Sequence, residues 1–105
     1  MFPLEVTFRH LPESDALKDS IFRRASRWGV LGRKIVNCHV VVDAPHGRNS
    51  HADPFHVSVS VKVPGDAIVV NKKPQVPENV YSAVNEVMDT ADRRLRTYFR
   101  RKGWS

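Results

Sequence analysis

From Phe55 to Val63 the chain alternates without a break: Phe55, Val57, Val59, Val61 and Val63 are separated by His56, Ser58, Ser60 and Lys62. A strand turns successive side chains to opposite faces, so this stretch has one apolar face and one suited to water. It belongs to a sheet that is covered on one side only. The rest of the chain must supply both the neighbouring strands and the cover.

The strands are legible on either side. Leu4, Val6 and Phe8 alternate with Glu5, Thr7 and Arg9, which predicts a first strand, and the valine-rich stretch from Ile35 to Ala44 predicts a second. Pro64-Gly65-Asp66 is turn chemistry, so Ala67 to Asn71 folds back on the third strand as a fourth, in an antiparallel hairpin. The cover comes from two helices. Ser14 can cap the first, whose Leu17, Ile21, Ala25 and Trp28 recur at helical spacing, and Gly29 ends it. After a connector from Lys72 to Glu78 with two prolines, a longer helix runs from about Asn79 to Arg101. It carries Val80, Val84, Val87, Met88, Ala91, Leu95, Tyr98 and Phe99 on one face. The expected fold is α+β, a single β-α-β-β-β-α domain spanning 1–105, with a four-stranded sheet and both helices on one face.

Lys and Arg total 17 against 11 Asp and Glu, a formal charge of +6, which points to a polyanionic partner. Nucleic acid fits first and an anionic membrane surface second. No apolar stretch approaches the roughly 18 residues of a membrane span, and no basic segment leads into an apolar signal. The single cysteine, Cys38, cannot form an internal disulfide, so the cytoplasm is the expected compartment and no membrane partner is expected.

The charge is unevenly placed. On the first helix Arg23 and Arg27 lie opposite Ala25 and Phe22, with Arg24 at the edge of the apolar stripe. Towards the second helix and along its first part come Glu78, Glu86, Asp89 and Asp92, while Arg93, Arg94, Arg96, Arg100, Arg101 and Lys102 follow without an acid. A helix dipole favours cations at this end by ~0.3–1 kcal/mol each. One or two would satisfy it. Six basic residues with no neutralising partner repel one another and call for a phosphate ligand, which the planar fork of arginine matches.

Other constellations are weaker. His46, His51, His56 and Asp53 match no zinc spacing, so no metal or other cofactor is expected; His46, Arg48 and His51 are candidate additional phosphate contacts. No carboxylate pairs with a histidine at catalytic spacing, and Cys38 and His39 must point to opposite faces of a strand. No enzyme and no small-molecule substrate are expected. Cys38, Trp28, Tyr81 and Phe99 are expected in the core, and Trp104 in a terminal tail, with base stacking as its alternative role.

Val80-Tyr81-Ser82-Ala83-Val84-Asn85-Glu86, then Asp89 and Arg93-Arg94-Leu95, resembles the second helix of the hibernation-promoting factor and ribosome-associated inhibitor (sigma-54 modulation protein) family. The opening Leu4-Glu5-Val6-Thr7-Phe8 and the helix ending Arg23-Arg24-Ala25-Ser26-Arg27-Trp28 are similar in order and spacing. The resemblance covers nearly the whole chain. It implies a domain shaped like those that bind double-stranded RNA, lodged between head and body of the small ribosomal subunit across the paths of messenger and transfer RNA. It further implies a translation inhibitor of stress and stationary phase, in the short form that lacks the long members' ribosome-pairing domain, and a monomer off the ribosome. Carried over by position, Arg23, Arg24 and Arg27 on the first helix and Arg93, Arg94, Arg96, Arg100 and Arg101 on the second, with Lys102, would contact ribosomal RNA. A general double-stranded-RNA-binding or RNA-chaperone module is the alternative, and a basic protein-interaction regulator a third.

Overall fold

A computed structural model describes residues 2–44, 55–72 and 79–103. The elements are β1 (Leu4–Arg9), α1 (Asp15–Ser26), a 3-10 helix (Gly29–Lys34), β2 (Asn37–Asp43), β3 (His56–Val63), β4 (Asp66–Lys72) and α2 (Val80–Arg101). This is the expected α+β order with one addition, the 3-10 helix. The connector at 73–78, the loop at 45–54 and Trp104 lie outside the described residues.

The sheet is mixed, in the order β1-β2-β3-β4. β1 and β2 are parallel, as the α1 crossover between them permits, and the other pairs are antiparallel. Register sets the faces. Leu4, Cys38, Val61 and Ile68 align across the four strands, as do Val6, Val40, Val59 and Val70. The intervening rows are Glu5, His39, Ser60, Val69 and Thr7, Val41, Ser58, Asn71. The first two rows meet the helices: Leu17, Ile21 and Ala25 of α1 join Val84, Leu95 and Phe99 of α2 and the strand valines in one core. The polar rows form the open face, where the Thr7 hydroxyl and His39 Nε2 are 2.8 Å apart.

α1 begins as its sequence predicts, the Ser14 hydroxyl accepting from the Leu17 amide at 3.1 Å. Its end differs. The α-helix stops at Ser26 rather than at Gly29, and Gly29, at φ +56°, instead starts the 3-10 helix. The strand expected from Ile35 consequently begins at Asn37. The irregular stretch is held by packing: Trp28, Leu31 and Ile35 are buried, and Phe2 stacks on Trp28 with centroids 5.7 Å apart. Gly32 lies under the Phe2 ring, where a Cβ would sit 3.3 Å from its edge.

Asn79 caps α2, its side chain accepting from the Ser82 amide at 2.8 Å. Tyr81 is not a core residue; it is 44% exposed. It stands at the same helical angle as buried Phe99, about five turns of 3.6 residues away, but the buried stripe drifts around the helix. Ala83, Val84 and Val87 carry that stripe at the start of α2 and Leu95 and Phe99 at its end, so the angle that is covered late is open early. Phe22 is likewise 41% exposed, beside rather than on the line of Leu17, Ile21 and Ala25.

Cys38 is a core residue of the central strand, and burial pushes its thiol from 9.0 up to about 12. Folding therefore favours the neutral thiol. The stabilisation is complete below pH 9 and is lost as pH rises towards about 12, because the unfolded thiol ionises first. Urea titrations should show this loss between pH 9 and pH 11 and show it reduced in Cys38→Ala. Truncating Phe99, which is fully buried, to Ala should cost about 3–5 kcal/mol in the same assay.

Candidate nucleic-acid interface

Two elements bring basic residues to the same side of the molecule. The last turn of α1 carries Arg23 and Arg24, followed by Arg27, and the second half of α2 carries the longer run. The helices meet through polar contacts: Arg24 pairs with Asp89, and Arg96 Nη2 donates to the Arg27 carbonyl at 3.5 Å. Arg96 also pairs with Asp92 at 3.1 Å, one helical turn back. The basic run of α2 is thus not free of acids, as its order along the chain implied. Helical geometry carries Asp92 onto the Arg96 side, and tertiary packing brings Asp89 to Arg24.

The remaining cations divide by direction. Arg23, Arg27 and Arg100 are exposed and have no carboxylate partner among the described residues. Arg93 is also exposed and, among the described residues, donates only to the Thr90 hydroxyl, at 3.3 Å. Arg94 turns the other way: its Nη1 donates to the Val69 carbonyl on β4 at 3.0 Å. With Arg93 and Arg101 it lines an open groove between α2 and β4. Lys102 caps α2 and holds its ammonium 5.7 Å from the centre of the Tyr98 ring. The five arginines of α2 and its cap Lys102 therefore divide between two surfaces, one shared with α1 and one beside the sheet edge.

His46, Arg48 and His51 lie outside the described residues. Among the described residues no group of histidine, cysteine and carboxylate is placed to hold a metal ion, and no helix is long and apolar enough to cross a membrane. Cys38 is buried while His39 faces Thr7 on the open side, so the two share no site. The sequence pattern did not disclose Asp89 and Asp92 as arginine partners. The four-residue spacing of Asp92 and Arg96 was a visible signal; Arg24 and Asp89, 65 positions apart, offered none.

The family model described as sigma 54 modulation protein / S30EA ribosomal protein matches residues 4–102. Among solved structures, the Protein Y N-terminal domain of Thermus thermophilus superposes with a TM-score of 0.73 at 16% identity, covering 93% of this chain and 99% of that one. A ribosomal subunit interface protein from Coxiella burnetii gives 0.75 at 20% identity, covering 92% and 97%. At these identities the likeness is one of fold. No curated protein sequence matches the chain.

Exposed ion pairs contribute little to stability because water screens them and both side chains lose freedom. Asp89, whose side chain is 64% exposed, should follow that rule. Asp89→Asn is expected to change the unfolding free energy by less than about 1 kcal/mol in urea titration.

Proposed function

The chain belongs to the sigma 54 modulation protein / S30EA ribosomal protein family, and on that footing we propose that it inhibits translation by binding the small ribosomal subunit and filling its decoding channel. The observation that carries this reading is the convergence of cations from two separate helices, joined by the hydrogen bond from Arg96 to the Arg27 carbonyl. A single helix end could owe its arginines to the dipole; two elements contributing to one surface have a common ligand.

Ribosomal RNA supplies that ligand as phosphate. Arg23 and Arg27 from α1, with Arg93, Arg96 and Arg100 from α2, present guanidinium forks suited to phosphate oxygens. Arg24 and Arg96 are already oriented by Asp89 and Asp92, so less side-chain freedom is lost when they engage. Arg94, Arg101 and Lys102 extend the interface around the end of α2. His46, Arg48 and His51 would add contacts from their loop. Inhibition follows from occupancy. A domain of 46 × 25 × 20 Å seated in the channel excludes messenger and transfer RNA by volume, with no catalysed step and no cofactor. In this reading residues 1–105 act as one cytoplasmic domain, monomeric when off the ribosome.

Each phosphate neutralised releases counterions, so the log–log dependence of affinity on salt should have a slope of roughly −0.7 to −0.9 per phosphate. Arg93→Glu with Arg100→Glu is the cleanest disruption, since neither arginine pairs with an acid among the described residues. This variant should cease to co-sediment with small subunits and should relieve inhibition in a translation extract, at an unchanged thermal midpoint. Arg23→Glu with Arg27→Glu should weaken binding separately and flatten the salt slope by about one unit for each phosphate no longer neutralised. Full inhibition by the four-site variant, still folded, would show that these arginines are solvated surface.

A further inference from the structure

The groove between α2 and β4 has a volume of about 650 Å³ and is open along one side. Ile68 and Tyr98 provide apolar lining, Arg93, Arg94 and Arg101 provide charge, and no carboxylate among the described residues lines it. Val69, 48% exposed, turns its side chain to the open face of the sheet and meets the groove with its backbone. Tyr98 is half-buried, set edge-on against Phe99 with centroids 5.4 Å apart, so its ring is held in place.

Two occupants suit a cationic groove with an apolar wall: an acidic peptide added as a strand to β4, or part of an RNA chain. A peptide strand needs the outward backbone groups of β4. The Val69 carbonyl is already taken by Arg94 at 3.0 Å. RNA needs no edge hydrogen bonds. Its phosphate seeks a guanidinium fork and its base seeks an aromatic or apolar surface, and the groove holds both chemistries side by side. A base inside a duplex is paired and stacked and has no face to offer, so the nucleotide that fits is an unpaired one.

We propose that this groove takes a single unpaired nucleotide of the bound RNA, its base against Tyr98 and Ile68 and its phosphate on Arg93 and Arg101. The inference rests on the RNA-binding reading above and deepens it: the helix surface shared with α1 grips phosphates without regard to pairing, while the groove selects an irregularity in the RNA. Arg94 stays on the Val69 carbonyl and keeps the edge of β4 closed.

The test uses the full chain and two labelled RNA hairpins that differ by one single-nucleotide bulge, with binding read by fluorescence anisotropy. The bulged hairpin should bind at least about tenfold more tightly, in line with the contribution of one stacked base. Thr97→Phe fills the groove from an exposed helix position without changing charge. It should abolish the preference while leaving affinity for the paired hairpin within about twofold, and Tyr98→Leu, which removes the aromatic ring but keeps an apolar side chain, repeats the test if the first variant unfolds. Equal binding of both hairpins by the parent protein would overturn the proposal, as would a preference that survives both substitutions. So would a labelled glutamate-rich peptide that binds the parent more tightly than the bulged RNA and no longer binds Thr97→Phe, for the groove would then be a protein-docking site. Arg23→Glu with Arg27→Glu, outside the groove, should weaken both hairpins alike. Failure of that arm alone would count against the RNA-binding reading itself and leave the groove's preference to be judged by the other arms.

Discussion

Every other feature depends on the register that aligns the apolar residues of four strands on one face of the sheet. A shift of one residue would turn Val57, Val59, Val61 and Val63 towards water and bring His56, Ser58, Ser60 and Lys62 beneath the helices. With the register fixed, the two helices have one place to go, and they must share it. Their contact over the sheet brings the end of α1 against the middle of α2, which is what turns separate basic stretches into one surface.

That surface is not uniformly positive. Arg24 and Arg96 are balanced by Asp89 and Asp92, while Arg23, Arg27, Arg93 and Arg100 have no carboxylate among the described residues. The pairs lie where the helices approach, and Arg27 joins them there through its carbonyl. Such a division limits the self-repulsion of clustered arginines and leaves charge for a ligand. Exposed pairs of this kind add little stability, so their effect is on the direction of the side chains more than on the fold.

The free edge of β4 is managed by an arginine. Arg94 reaches from α2 to the Val69 carbonyl, an interaction that occupies an outward acceptor and places a charge where another strand would have to pair. The same side chain helps shape the groove beside Tyr98. Protection of the edge and the character of the neighbouring cleft therefore share one side chain, Arg94.

Element order, the faces that the first and third strands bury and the helix cap at Ser14 were legible in the residues alone, because alternation, helical spacing and capping are local and act within a few positions. So were the basic runs. Packing settled the rest. The 3-10 helix at Gly29–Lys34 exists because Phe2, Trp28, Leu31 and Ile35 pack together across a stretch with no regular period of its own. Tyr81 is exposed because a straight helix crossing a twisted sheet is covered at different angles along its length. The pairing of Arg24 with Asp89, the reach of Arg94 to β4 and the groove beneath it join residues many positions apart. No local pattern encodes such contacts, since they arise only when two helices and a sheet edge are fixed relative to one another.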